Sequence, residues 1–323
     1  MIKQASIIVT GGLGAIGSAL CRKLLKSEAA ALTIVDDCSS SVPELSKDIL
    51  DDPRTTFVRG SIVDDASLKK AFSSKPDIVF HLAAHFANQN SVDHPVADCD
   101  VNSMGTIKVL ECARKARVKK FVFASSSCVY GSAETFSVDT LDFRLDTPYA
   151  INKLHGEYLV QFYHEYHGMN TTVLRYFNSF GPGELPGRYR NVVPNFFLIA
   201  YRGEPLPITG DPKASRDFNY IDNTVDATIL AAEKKASAGK TYNIGSGAET
   251  TVADLAEEIN RITGNTAGVT LLPGRQWDRV MRRKADISRT VEDLGYRPVI
   301  DLPTHLRATG EWLKRHEKFF PPA

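Results

Sequence analysis

The stretch SIIVTGGLGAIG, Ser6 to Gly17, sets a run of β-branched apolar residues directly before Gly11, Gly14 and Gly17 at GxxGxxG spacing. From about Ala15 to Lys26 the apolar spacing becomes that of a helix. A strand, a glycine turn and a helix in that order form a seat for a pyrophosphate. Glycine lets the backbone turn sharply and approach closely, and the helix N-terminus presents unpaired N–H groups to the anion. A plain glycine-rich turn is the competing reading of the motif alone. Working outward, strand-like runs at Leu32–Asp36, Thr56–Arg59, Asp77–His81 and Lys120–Ala124 alternate with helical patterns near Ala66–Phe72 and Val101–Lys115. A helix from about Tyr149 to His167 leads to a further strand, Thr171–Phe177. Strands this short, apolar throughout and separated by helices, predict a doubly wound parallel sheet covered on both faces.

The second strand ends in Asp36-Asp37, 19 residues after Gly17, where an acid accepts hydrogen bonds from ribose hydroxyls. A 2′-phosphate would be repelled there and no arginine stands beside the acids, so the pattern favours NAD over NADP. After Phe177 the texture changes. NSFGPGELPGRYRN, residues 178–191, carries three glycines and two prolines and reads as a loop leaving the sheet. A helix Val193–Arg202, a turn GDPKAS, a strand Asp217–Ile221, a helix Asn223–Lys234 and a strand near Thr241–Ile244 follow. Helices at Val252–Thr263 and around Thr304–Lys318 finish the chain. The expected organisation is a cofactor domain over 1–178, with 217–244 returning to it, and a smaller, discontinuous α/β substrate lobe over 179–323.

Composition narrows the partners. With 39 Lys+Arg against 38 Asp+Glu, the net charge of +1 argues against a dedicated nucleic-acid binder. Apolar runs fall far short of the roughly 20 residues a membrane span needs. The start runs straight into a strand and is not read as a signal peptide. Cys21, Cys38, Cys99, Cys112 and Cys128 form no CxxC pair and no metal-ligand spacing, which fits a reducing cytoplasm.

Tyr149 and Lys153 form a Tyr-x-x-x-Lys pair at the start of a helix, behind Pro148. Residues four apart share a helix face, so the ammonium can lie near the phenol and favour its ionised form, as a general base requires. Chance pairs of this kind occur on many solvated helices. Here, though, the strand from Phe121 ends in Ser125-Ser126-Ser127 at the carboxyl edge of the sheet, where α/β sites lie.

In these residues the chain resembles the extended short-chain dehydrogenase/reductase superfamily, in particular its nucleotide-sugar epimerases and dehydratases. The likeness covers almost the whole length: TGGLGAIG, the acid ending strand two, HLAA (81–84), Asn102, SSSCVYG, YAINK, RYFNSFGPGE, NVVPNF, SRDFNYID and ADIS…LGYRP, in that order. It implies a Rossmann-type fold, bound NAD and a nucleotide-sugar substrate, with UDP-hexose and UDP-glucuronate 4-epimerases the nearest relations. The resemblance assigns Gly11, Gly14, Ala15, Ile16 and Gly17 to the pyrophosphate and Asp36 with Asp37 to the adenosine ribose. Ser61, Ile62, Leu82, Ala83, Ala84, Asn102 and Phe177 take other cofactor contacts. Ser126, Tyr149 and Lys153 are the implied catalytic group, with Lys153 also binding the nicotinamide ribose. Ser127, Asn178, Asn191, Arg216, Arg275 and Asp278 are implied substrate residues, the two arginines gripping a diphosphate and a uridine ribose.

Some positions depart from the family pattern. Gly60-Ser61-Ile62 stands where Gly-Asp-Ile is usual, and Trp277 replaces the glycine of Arg-x-Gly-Asp. The basic run Arg282-Arg283-Lys284 is a solvated face by default, or a contact for an anionic sugar. The resemblance implies that 4,6-dehydratases carry Asp-Glu directly after the serine and that decarboxylases keep a Glu before Val-Tyr-Gly. Here those positions are Ser127 and Cys128, which leaves 4-epimerisation as the simplest chemistry. Dehydration, decarboxylation and a non-catalytic NAD-sensing role remain the rivals. Family likeness also implies a homodimer built on helices through Ile107–Cys112 and Leu154–Tyr166, whose apolar residues Val109, Leu110, Leu159, Val160, Phe162 and Tyr163 include ordinary core positions as well as candidate contacts.

Overall fold

The β-branched run Ser6–Thr10 forms β1, at the centre of a seven-stranded, all-parallel sheet in a computed structural model that describes residues 1–133, 136–139 and 143–321. Its other strands are β2 (Ala31–Asp36), β3 (Thr55–Arg59), β4 (Ile78–His81), β5 (Lys120–Ser126), β6 (Thr171–Tyr176) and β7 (Lys240–Ile244), in the spatial order β7-β6-β5-β4-β1-β2-β3. The chain leaves β1 towards β2 and β3, then crosses back to β4. The order therefore reverses between β1 and β4, and the carboxyl ends of those two strands open the crevice where doubly wound folds bind ligands. Alternation along β1 explains the double cover. Ile7 and Val9 join a core with Leu20, Leu24, Ile34 and Val122, while Ile8 packs with Val35, Val79, Phe121, Phe123, Val109 and Val160 on the opposite face. The fold is the expected Rossmann-type α/β architecture.

The covering helices are α1 (Ala15–Lys26), α2 (Asp65–Phe72), α3 (Thr106–Ala116), α4 (Pro148–His167) and, later in the chain, α6 (Ile221–Glu233). Local chemistry starts and stops α4: Thr147 accepts from the Ala150 N–H, Pro148 occupies the first turn, and Gly168 ends the helix at φ 66°. Helix α6 and β7 contribute Val225, Ala227, Tyr242 and Ile244 to the same core as α1, although they follow the long loop. The remaining elements, including α5 (Val192–Tyr201), α7 (Val252–Thr263) and α8 (Leu302–Arg315), bury a separate core of Phe180, Phe196, Phe197, Leu255, Ile259, Leu306 and Leu313. Among the described residues no helix is long and apolar enough to cross a membrane.

Three expectations change. The helix predicted over Val101–Lys115 starts as a wider π-turn, Asp100–Gly105, and α3 begins at Thr106, whose hydroxyl donates to the Asn102 carbonyl at 2.7 Å. The strand predicted over Asp217–Ile221 is split into Ser215–Arg216 and Asn219–Tyr220. The cause is Asp217, whose buried carboxylate turns inward and accepts from Ser246 N and Oγ, Gly247 N and Ala285 N. A parallel pair, Leu206–Thr209 with Val269–Leu272, was absent from the sequence reading because its second strand is exposed throughout and shows no alternation.

Lys120 opens β5 fully enclosed, donating to Asn170 Oδ1 at 2.9 Å and to Thr172 Oγ1 and Ser237 Oγ at 2.7 Å, with no carboxylate paired to it among the described residues. Burial lowers its pKa to about 8. Between that value and the ordinary lysine range the unfolded chain binds more protons than the folded one, so this residue makes stability rise with pH there. Replacing Lys120→Met should remove that rise: the stability difference between wild type and variant, followed by urea unfolding from pH 7 to 10.5, should change by up to about 1.4 kcal/mol per pH unit. A difference independent of pH would contradict the assignment.

Candidate active site

The glycine turn is held by contacts that tolerate no side chain. A Cβ on Gly17 would stand 2.0 Å from the Gly11 carbonyl oxygen, and one on Gly11, at φ +68°, would meet Ala83 N at 2.7 Å. Gly14, by contrast, faces nearly open space, with only Gly11 O at 3.4 Å. It caps α1 without any side-chain hydrogen bond, so the helix start keeps N–H groups free for an anion. Ala15 and Ile16 form the first turn and are half-buried. At the end of β2, Asp36 is buried and turned to this loop, its Oδ2 accepting from Leu13 N at 2.9 Å and its Oδ1 from Cys38 N and Ser41 Oγ. Asp37 is exposed and accepts from Ser39 N, outside the loop.

The β4 side completes the crevice. Leu82, Ala83 and Ala84 are half-buried there, with Ala83 N donating to Thr10 Oγ1 at 3.2 Å. His81 Nδ1 lies 2.7 Å from Thr10 Oγ1, and its Nε2 lies 3.1 Å from Thr106 Oγ1. Burial, with the Lys153 charge adding, lowers its pKa to about 3, so this ring is neutral. Asn102 is buried and clamps the strand-four loop through His85 N and O. Ser61 bonds locally to Val63 N, and Ile62 is buried in the core beneath. Phe177 packs its ring among Val129, Tyr130 and Leu154.

The catalytic candidates meet at the carboxyl end of β5. Ser126 caps the short turn after the strand, accepting from Cys128 N, and its nearby hydroxyl draws the Tyr149 phenol down slightly against the larger effect of burial. Lys153 lies 5.8 Å from the centre of the Tyr149 ring and donates to Ala124 O at 2.9 Å. Burial lowers Lys153 to about 8, opposed by the negative charges of Asp98 and Glu157. The sequence reading expected the lysine to pull the phenol down. Instead Tyr149 stands above its ordinary value, because enclosure of the ring outweighs everything else and the neighbouring Cys128 and Asp98 add to it.

The substrate candidates are brought together only in part. Arg216 is nearly enclosed and donates to Asp278 Oδ1 at 3.1 Å and to Val280 O at 2.9 Å. Ser127 is buried beside Ser126, and Asn178 lies half-buried just past β6. Asn191 gives its Nδ2 to the buried Glu184. Arg275 is exposed at the rim, its guanidinium 5.6 Å from the Trp277 ring.

Over residues 7–245 the chain matches the family described as NAD dependent epimerase/dehydratase. The chain belongs to the NAD-dependent epimerase/dehydratase family. Its cofactor is NAD, and the glycine turn, free helix start and buried Asp36 described above suit that dinucleotide. The structure is similar to that of the epimerase Mth375 of Methanothermobacter thermautotrophicus, at 40% identity and TM-score 0.94, covering 98% of this chain and 94% of that one. It is also similar to the enzyme WbmF of Bordetella bronchiseptica in complex with NAD+ and UDP, at 33% identity and TM-score 0.85, over 98% and 94% of the two chains. In sequence it is 30% identical over 321 residues to a UDP-N-acetyl-alpha-D-glucosaminuronate decarboxylase of Bacillus cytotoxicus, covering 96% of this chain and 98% of that protein. Relatives at comparable identity include 4-epimerases and 4,6-dehydratases.

Several residues of this family member's site escaped the sequence reading. Asn88, on a short helix Asn88–Asp93, donates to Cys128 Sγ at 3.3 Å and accepts from Thr147 Oγ1 at 3.0 Å. Beneath Tyr149 and Lys153, the buried Asp98 joins Asn102 Nδ2 and Asn152 Nδ2, tying the strand-four loop to α4. Glu157, one turn beyond Lys153, accepts from Ser125 Oγ and from Nε and Nη2 of Arg175. Polar residues at Asn152 and Glu157, inside the buried half of α4, were the available signal. Gly17→Ala should force the turn apart, giving protein that melts below wild type and is purified without NAD, read as cofactor released on denaturation against wild type. Full NAD content in that variant would contradict the pyrophosphate assignment.

Proposed function

We propose that this chain is a nucleotide-sugar 4-epimerase, most at home with a UDP-sugar, that works through a transient 4-keto sugar. The observation carrying this reading is the enclosed group Ser126, Tyr149 and Lys153, with Ser127 and Cys128 in the adjacent positions where a dehydratase or decarboxylase would keep carboxyl groups. NAD, when bound, supplies the hydride acceptor and, in its oxidised form, a positive charge that brings the raised phenol down. Tyr149 removes the proton from the C4 hydroxyl, with Ser126 holding that oxygen, as hydride leaves C4. Lys153 orients the cofactor ribose and keeps positive charge beside the phenol. The flat ketone turns within the chamber while Arg216 and Arg275 hold its diphosphate and ribose. Tyr149 then returns the proton as hydride arrives on the other face. Net redox is zero.

One observation favours a hexuronate among the possible sugars. Arg283 is buried, with its Nη2 on Gly131 O at 3.2 Å, its Nη1 3.9 Å from Cys128 Sγ, and its Nε without a partner. It has no carboxylate ion pair among the described residues, whereas Arg216 is matched by Asp278. A buried guanidinium beside the catalytic turn, opposed by Asp146 only at longer range than a salt bridge, suits a substrate carboxylate. Decarboxylation is the rival for that substrate, and loss of carbon dioxide separates it from epimerisation, which conserves mass. The free cysteines fit a reducing cytoplasm.

We also propose a homodimer, through a face that keeps Phe162 from the candidates read in the sequence and replaces the others. Val109, Leu110, Val160 and Tyr163 are core. Ile151, Tyr158, Phe162 and Tyr166 are each about half exposed or more, along one side of α4. Phe162→Asp with Tyr166→Asp should shift the protein from dimer to monomer in sedimentation velocity, and a wild-type monomer at all concentrations would end the dimer proposal. Tyr149→Phe should lower kcat by about a thousandfold or more while UDP binding persists. Turnover close to wild type in that variant would contradict the mechanism.

A further inference from the structure

Trp277 stands where the family pattern has glycine, and its indole N–H donates to Gln89 Oε1 at 3.0 Å, joining residues 188 positions apart. The two ends of this bond belong to opposite walls of the site. Gln89 follows Asn88, which bonds Cys128 on the catalytic turn, and Trp277 precedes Asp278, which holds Arg216. The Gln89 amide is also fixed from behind: its Nε2 donates to Asp93 Oδ1 at 2.9 Å, so its carbonyl is left to face the indole. Asp93 Oδ2 in turn accepts from the Tyr189 hydroxyl at 2.7 Å. A continuous chain of hydrogen bonds therefore runs from the Trp277 loop, along one face of the helix Asn88–Asp93, to the loop that carries Tyr189.

We propose that Gln89 and Trp277 clasp the two walls of the sugar chamber together and so retain the bound nucleotide sugar. Under the epimerase reading, on which this role rests, the clasp is what keeps the 4-keto sugar from leaving while it turns over. The chemistry gives escape a lasting trace. A ketone that leaves has already surrendered its hydride, so each escape strands one reduced cofactor on the enzyme, and that molecule can no longer start a cycle with an alcohol. Breaking one neutral hydrogen bond changes such an equilibrium by about two- to tenfold. Gln89 and Trp277 act here as positioning residues, since neither is assigned to the reacting atoms.

The test uses holoenzyme of wild type, Trp277→Phe, Gln89→Leu and the double variant. Two quantities are measured: the dissociation rate of radiolabelled UDP, and the growth of 340 nm absorbance per turnover with a UDP-sugar substrate. Each single variant should release UDP and accumulate reduced cofactor about two- to tenfold faster than wild type. The double variant should match the singles, because both remove the same bond. Unchanged release and accumulation in both singles, or effects that multiply in the double, would overturn the clasp. If no sugar is turned over by wild type, the epimerase reading fails, while the UDP dissociation rates still decide whether the clasp exists.

Discussion

The close approach of Gly17 to the Gly11 carbonyl is the contact on which the rest of the molecule depends. With 2.0 Å between that oxygen and the place where a Cβ would be, the turn can exist only with hydrogen in that direction. The turn then delivers α1 from the end of β1 back onto the sheet, with Leu20, Leu24 and Leu25 buried, and leaves the Gly14 end of the helix uncapped. The same turn presses against Ala83, so the β1 and β4 ends sit side by side at the point where strand order reverses. Asp36 secures the arrangement from the end of β2 by accepting the Leu13 N–H. A pyrophosphate seat and an acid for ribose thus arise from one packing constraint.

The chemistry lies two strands away and is held by buried polar groups rather than by apolar packing alone. Arg175 and Ser125 share Glu157, and the Arg175 guanidinium lies 4.8 Å from the Tyr130 ring. Asp98 gathers Asn102 and Asn152. These bonds fix α4 in rotation and in height against β5, and so set Tyr149 against Ser126. Buried networks of this kind are costly to interrupt, since each member left alone loses its hydration without a substitute. The enclosure has a consequence for Tyr149. It raises the phenol, so the base role proposed for Tyr149 would depend on positive charge from Lys153 and from bound oxidised cofactor.

The parts written in local chemistry were legible from the chain alone. Glycine spacing, the acid ending β2, apolar strands of five or six residues, and the proline that starts α4 all act over a few positions, and each predicted its element. What could not be read depends on partners far apart. Asp217 breaks a predicted strand because Ser246 and Ala285 come to meet it, and nothing within five residues announces that. Likewise the periodicity of α4 marks apolar positions without saying which side of the helix faces the sheet. Core and contact positions were therefore mixed among the candidates, and the structure puts Val160 and Tyr163 in the core. Arg283 looked like part of a solvated basic run, whereas Arg282 beside it pairs outward with Glu249 and Arg283 turns inward.

The central claim is that hydride leaves C4 and returns to the same carbon of the same molecule. Turnover of a UDP-sugar deuterated at C4, with the product identified by mass spectrometry and NMR, tests it most directly. The account predicts a product of unchanged mass, inverted at C4 and still carrying deuterium there. A product that has lost water or carbon dioxide, or has lost its deuterium to solvent, would contradict it.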